Sequence, residues 1–153
     1  MFEKGEPPVF DSGMFLCRLD IHPMSPGHAL VIPKRHVMRL SELRTNEWQE
    51  LRGAIIRAMK VPPQKWEVLY RRLRNRQITK NSVWFIDRAL AQPRSGTLPD
   101  GFNHIVNEGE AAGQTVQHLH WHIIPRYVGD VADPKGGGRY VIPELGNYTN
   151  PRA

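Results

Sequence analysis

The segment His118-Leu119-His120-Trp121-His122-Ile123-Ile124 places imidazoles at three alternate positions. On an extended strand, alternate residues share a face and each residue rises about 3.3 Å, so the three rings would stand about 6–7 Å apart on one side. Leu119, Trp121 and Ile123 would face the other side, toward a core. Three imidazoles in a row gain nothing from burial, and would repel one another if all were protonated. Three readings compete for such a row. It is a plain surface row, or it binds a transition metal, or it supplies a nucleophile. Imidazole is the commonest transition-metal ligand, but a third histidine on one strand rarely reaches the same ion, and no Asp or Glu stands nearby in sequence to complete a set. In the third chemistry a neutral imidazole attacks phosphorus while its neighbours manage protons and charge.

The loop leading into this segment favours the nucleophile. Gly113 lets backbone approach a ligand closely, and the amides of Asn107 and Gln114 can bind phosphate oxygens without adding charge.

The elements that must position these groups are legible from periodicity. Residues 14–21 and 29–32 read as two antiparallel strands, joined across the turn formers of His22-Pro23-Met24-Ser25-Pro26-Gly27, with Pro33 ending the second. Residues 102–107 and 115–124 read as two more strands. A helix follows Thr45 or Asn46 as cap, with Trp48, Leu51, Ile55, Ile56 and Met59 as its apolar stripe, and stops at Val61-Pro62-Pro63. Trp66, Leu69, Tyr70 and Leu73 predict a second helix with arginines on its other faces, and residues 82–92 a third. After Pro125 the chain is polar and glycine-rich. There is no internal repeat and no sign of a second domain.

Composition bounds the rest. The 153 residues suffice for one domain with one core, and four Trp with 40 % apolar residues argue against disorder. The net charge of +6 is local: residues 57–80 hold eight Lys or Arg against Glu67 alone, a net +7, and the remainder holds 13 basic against 14 acidic residues, a net −1. A solvated helix face accounts for this; attraction of an anionic partner is the sharper alternative. The first eight residues include no apolar run of signal-peptide length, and no stretch reaches the roughly 18 apolar residues of a membrane span, so a soluble, cytoplasmic protein is expected. The lone Cys17, among Phe15, Leu16 and Leu19, reads as a core residue.

Two blocks carry a resemblance to a known family. Gly113-Gln114-Thr115-Val116 running into His-Leu-His-Trp-His-Ile-Ile resembles the signature of the histidine triad (HIT) family, and Asp20 to His36, with Pro26-Gly27-His28-Ala29-Leu30-Val31-Ile32-Pro33-Lys34, resembles that family's upstream block. The resemblance implies an α+β fold, in which a curved antiparallel sheet of about five strands packs with helices. It implies a single domain over 1–153, with a core over about 14–126, a basic helical insertion over about 61–99 and a C-terminal extension over 127–153. It implies His120 as nucleophile, forming a nucleotidyl-histidine that water hydrolyses. His118 and His122 would flank the phosphate and His28 would complete the cluster. Gly113, Gln114, Thr115 and Asn107 would contact the phosphate or leaving group, while Asp20 and Ile21 would hold the ribose and pack on the base. No metal is required in the site, and Mg²⁺ can accompany a polyphosphate. A homodimer is implied, with the long helix and a sheet edge at its interface.

Histidine rather than glutamine at the third triad position points toward hydrolases, and Ile123-Ile124-Pro125-Arg126 resembles the branch that cleaves dinucleoside polyphosphates such as diadenosine tetraphosphate (Ap4A). Hydrolysis of nucleoside phosphoramidates is the rival within the family. A nucleotide- or RNA-binding module with little catalysis, using the 57–80 segment, is the rival from another class. His22 and His104 are expected to be structural or on the surface, and His36 to end a strand. Arg126 is expected either on the surface or on a distal phosphate, and Trp121 in the core.

Overall fold

The computed structural model describes residues 8–76 and 78–143. A two-residue strand β1 (Phe10–Asp11), too short for any periodicity to reveal, lies beside β2 (Phe15–Leu19). In β2 the alternation is strict: Phe15, Cys17 and Leu19 are buried, while Leu16 and Arg18 are half-buried on the opposite face. Strand β3 (Ala29–Pro33) is buried along its length and pairs antiparallel with β2 from Phe15↔Pro33 to Leu19↔Ala29. With β4 (Gly101–Ile105) and β5 (Trp121–Arg126) these form a five-stranded antiparallel sheet in the order β1-β2-β3-β5-β4. The architecture is the expected α+β one.

The strand expected over residues 115–124 begins only at Trp121 and continues to Arg126. Its partners explain the late start. The β3 ladder reaches Val31↔Trp121 and the β4 ladder reaches Ile105↔His122, so neither ladder extends to residues before Trp121. Leu119 is nevertheless fully buried, and its N–H donates to the Val37 carbonyl at 2.7 Å. The apolar alternation upstream of Trp121 therefore belongs to a loop that drops one leucine into the core. At the other end the strand passes through Pro125. The Pro125 carbonyl accepts from Ser25 Oγ at 2.6 Å, so its ring nitrogen also faces past the end of β3, where no ladder donor is needed.

Helix α1 (Thr45–Met59) covers one face of the sheet, touching β2, β3 and β5. Its cap position is Arg44, not Thr45 or Asn46, because the Glu47 carboxylate accepts the Arg44 N–H at 2.7 Å and holds the first turn from inside. Arg35 binds the same carboxylate at 2.6 Å; that guanidinium first, then the Arg44 N–H, draws the Glu47 carboxyl down to about 2. The buried stripe is Leu51, Ala54 and Ala58, with Ile55 and Met59 packed beside it. Trp48 and Ile56, expected in that stripe, are 44 % and 37 % exposed: small alanines let the helix lie close to the sheet on a face rotated from the bulky residues.

Helix α2 (Pro63–Arg74) starts with proline in its first position and buries the predicted Trp66, Leu69, Tyr70 and Leu73. Arg71, Arg72 and Arg74 lie exposed on its other faces. Helix α3 (Lys80–Leu90) is capped by Thr79, whose side chain accepts the Ser82 N–H, and buries Ser82, Ile86 and Ala89. Arg74 pairs with Asp87 and ties the two helices together. Cys17 is buried and its thiol is pushed up to about 12 by burial, so it is a core side chain and not a reactive one. Beyond β5, the Arg126 guanidinium grips Asp130 at 2.7 Å, and a 3₁₀ turn follows at Gly137–Val141. Residues 1–7 and 144–153, including the end of the expected C-terminal extension, lie outside the described residues.

Candidate active site

The site lies where the β2–β3 connection meets the start of β5. Asp20 N–H donates to the His28 carbonyl at 2.9 Å and closes the connection, while Gly27 at φ 85° turns the chain into His28. A residue with a side chain is barred at Gly27 twice over: the left-handed backbone disfavours it, and its Cβ would stand 2.6 Å from the Trp66 ring. Tyr70 Oη donates to the His28 carbonyl at 3.2 Å and Tyr127 Oη to the Pro26 carbonyl at 3.2 Å. The basic helical segment thus braces the site from behind with buried aromatics.

Hydrogen bonds set the proton positions along the histidines. His28 is 2 % exposed, and its Nδ1 accepts the Met24 N–H at 3.3 Å, so the proton of the neutral ring sits on Nε2. That Nε2–H donates to His122 Nδ1 at 3.0 Å, which places the His122 proton on its own Nε2. The rings of His122 and His120 lie 4.9 Å apart at 65°. His120 Nδ1–H donates to the His118 carbonyl at 2.8 Å, which leaves the ring's lone pair on Nε2. Burial lowers the basicity of all three neighbours: His28 is pushed down to about 4, and His118 and His122 are shifted down as well. The arrangement disfavours charge on His28, His118 and His122 and holds the Nε2 lone pair of His120 in a fixed direction.

Of the expected site residues, the structure brings together His28, His120, His122 and Asp20. The Asp20 carboxylate faces His28 Nε2 at 3.6 Å and His122 Nδ1 at 3.7 Å through one oxygen, and accepts the His22 N–H through the other. His118 sits apart from this group. Its Nε2 donates to the Pro33 carbonyl at 2.8 Å and its ring meets His36, so its contribution to His120 comes through its backbone carbonyl. The Gln114 side chain is buried in its own loop: Oε1 accepts the Gly109 N–H at 2.8 Å and Nε2 donates to the Met38 carbonyl at 3.1 Å. Gly113 takes φ 80° beside Asn107, while Thr115 is exposed and Ile21 half-buried. Arg126 has its guanidinium bonded to Asp130 and Asn103. His22 is exposed and bonds Ser82 at 3.1 Å; His104 is exposed; Trp121 is half-buried against Trp48. Sequence reasoning passed over Met24, Tyr70, Trp66 and Tyr127, which act through backbone groups or at long range; the apolar stripe of α2 was their one visible trace.

Among the described residues, Asp20, His28 and His122 offer three ligand atoms close enough for a metal ion. The hydrogen bonds do not fit one. A ligating imidazole needs its lone pair on the metal side and donates its other N–H outward. His28 does the reverse, because Met24 presents a donor to its outer nitrogen. The trio fits a proton-ordered hydrogen-bond chain.

Residues 3–129 match the HIT domain family. The chain is 34 % identical over 128 residues to the protein named adenylylsulfatase HINT3 of Arabidopsis thaliana, covering 80 % of this chain and 48 % of that one. It is 30 % identical over 129 residues to the AP-4-A phosphorylase of Mycobacterium tuberculosis, covering 83 % of this chain and 50 % of that one. The chain thus spans about half the length of these two relatives. A HIT family protein from Bacillus subtilis has a similar crystal structure, with TM-score 0.52 and 29 % identity over 82 % of this chain and 66 % of that one. The histidine-bearing strand, the bracing loop and these likenesses together establish that the chain belongs to the HIT domain family, whose members process nucleotides.

Proposed function

We propose that the protein hydrolyses the α-phosphate linkage of dinucleoside polyphosphates, such as diadenosine tetraphosphate, through a nucleotidyl intermediate on His120. The observation that carries this reading is the His120 Nδ1–H bond to the His118 carbonyl. It aims the Nε2 lone pair and then neutralises part of the charge that appears when that nitrogen bonds to phosphorus. In the first step Nε2 forms the N–P bond as the P–O bond to the departing nucleotide breaks, with the His122 Nε2–H available to the leaving oxygen. In the second, water attacks phosphorus, the N–P bond breaks and a nucleoside monophosphate leaves. Binding at the Asp20–Ile21 and Asn107–Thr115 segments, a cytoplasmic location and Mg²⁺ accompanying the polyphosphate belong to the same proposal. So does a homodimer joined at the β4 edge and the Trp48 face of α1, where an open strand and an exposed tryptophan lie available.

A second reading stays within the same chemistry. The relative named adenylylsulfatase HINT3 supports an adenylyl–X bond with a smaller leaving group, such as adenylyl sulfate or a nucleoside phosphoramidate. A panel of diadenosine tetraphosphate, adenylyl sulfate and adenosine phosphoramidate, run with wild type and His120→Ala, decides between them. The dinucleotide is expected to have the highest kcat/KM, and the variant to lose about 10³-fold or more in kcat while still binding nucleotide. A covalent adduct is expected in wild type and not in His120→Gly. Full activity in His120→Ala would end the mechanism.

A further inference from the structure

On β5, His122, Ile124 and Arg126 alternate onto one face, and the ladder sets Ile105 opposite His122 and Asn103 opposite Ile124. That face does not end at the histidines. It runs on into a cavity of about 540 Å³, walled on its far side by the segment after β5, including Tyr140, and on its near side by Met24 and Ser25 of the loop that carries His28. At about 3.3 Å per residue, Ile124 and Arg126 lie about 7 and 13 Å beyond His122. That span suits a short polyphosphate chain leading away from the attacked phosphorus.

The lining tells what the cavity accepts. Its one guanidinium, Arg126, is satisfied by Asp130 and by Asn103 Oδ1, so it offers no spare cation for a phosphate group. Apolar surface comes from Met24, Ile105, Ile124 and the Tyr140 ring, with the polar groups of Asn103, His104, Gln92 and Asp133 beside it. An uncharged aromatic ring with a hydrogen-bonding edge matches such a lining, and the volume is within the roughly 300–1,000 Å³ of small-molecule sites. We propose that this cavity is the subsite for the second nucleoside, the one that departs with the leaving polyphosphate. The inference rests on the dinucleotide reading above and makes the segment after β5 a specificity element.

The test compares diadenosine tetraphosphate with adenosine 5′-tetraphosphate, which has the same polyphosphate without the second nucleoside. In wild type, the dinucleotide is expected to lead in kcat/KM by about tenfold, the scale of one well-stacked base. In Tyr140→Ala and in Asn103→Leu that lead is expected to shrink to within about twofold. Circular dichroism and thermal melting confirm that each variant is folded. Equal kcat/KM for the two substrates in wild type would overturn the subsite and leave the hydrolase reading intact. So would a tenfold lead retained in both variants. Cleavage of neither substrate by wild type would remove the hydrolase reading, and the subsite with it.

Discussion

His28 Nε2 and His122 Nδ1 stand 3.0 Å apart, one at the entrance of β3 and the other on the neighbouring β5. The Met24 N–H behind His28 makes the contact directional, so a backbone donor four residues upstream decides which nitrogen of His122 carries its proton.

In the proposed mechanism, replacing His28 is expected to act on catalysis without touching the nucleophile. His28→Phe leaves His122 Nδ1 without its donor and frees the ring to change tautomer. A fall of about 10- to 100-fold in kcat, with KM nearly unchanged, is expected. His28→Gln, which can still present an N–H, recovers part of it. Steady-state kinetics across pH for the two variants reads the difference.

Stability should depend on pH through the same residue. Burial holds His28 down to about 4 against an ordinary value of 6.5, so below 6.5 the unfolded chain binds a proton that the native chain refuses. This contribution is whole above 6.5 and is lost as pH falls toward 4. Urea unfolding at neutral pH and near pH 5 should show wild type weakening more than His28→Gln. Parallel decline in both would contradict the assignment.

Gly27→Ala meets the left-handed backbone and the Trp66 ring at once. The backbone term is about 1–2 kcal/mol and the overpacking about 1–3 kcal/mol. A loss of at least about 2 kcal/mol in chemical denaturation is expected, and Trp66→Leu in the same chain should return the overpacking part. An unaltered midpoint for Gly27→Ala would show that the loop yields more easily than its packing implies.

The proposed dimer can be tested at the one large aromatic that α1 leaves exposed. Trp48 meets Trp121 edge to face at 6.1 Å and is 44 % exposed in the single chain. Trp48→Asp places a charge where the proposed interface is apolar. Light scattering is expected to give a dimer for wild type and a shift of the association midpoint by tenfold or more for the variant. Identical masses at every concentration would remove Trp48 from any interface.

How much was legible depended on distance along the chain. Alternation in Phe15-Leu16-Cys17-Arg18-Leu19 and the stripe Trp66, Leu69, Tyr70, Leu73 announced β2 and α2, because one-sided burial leaves its period in the sequence. The same rule failed over residues 115–120, where an alternating pattern arose from a single leucine anchored to Val37, and on α1, where alanines rather than Trp48 and Ile56 face the sheet. Both failures share a cause. Periodicity reports which residues are apolar, whereas burial depends on what another element brings opposite them.

The sequence alone determined the chemical inventory: three alternate histidines after a glycine-bearing loop, and a fourth in Pro-Gly-His just ahead of a strand. Only the tertiary structure decided how the rings divide their work. It turned His118 away to Pro33, drew Asp20 beside His28 and His122, and bound Gln114 into its own loop. Proton position on an imidazole follows from the donor or acceptor within about 3 Å of each nitrogen, and those partners come from residues 2 to 94 positions away, brought into place by the folded loop and the neighbouring strand. No local reading of the chain contains that information.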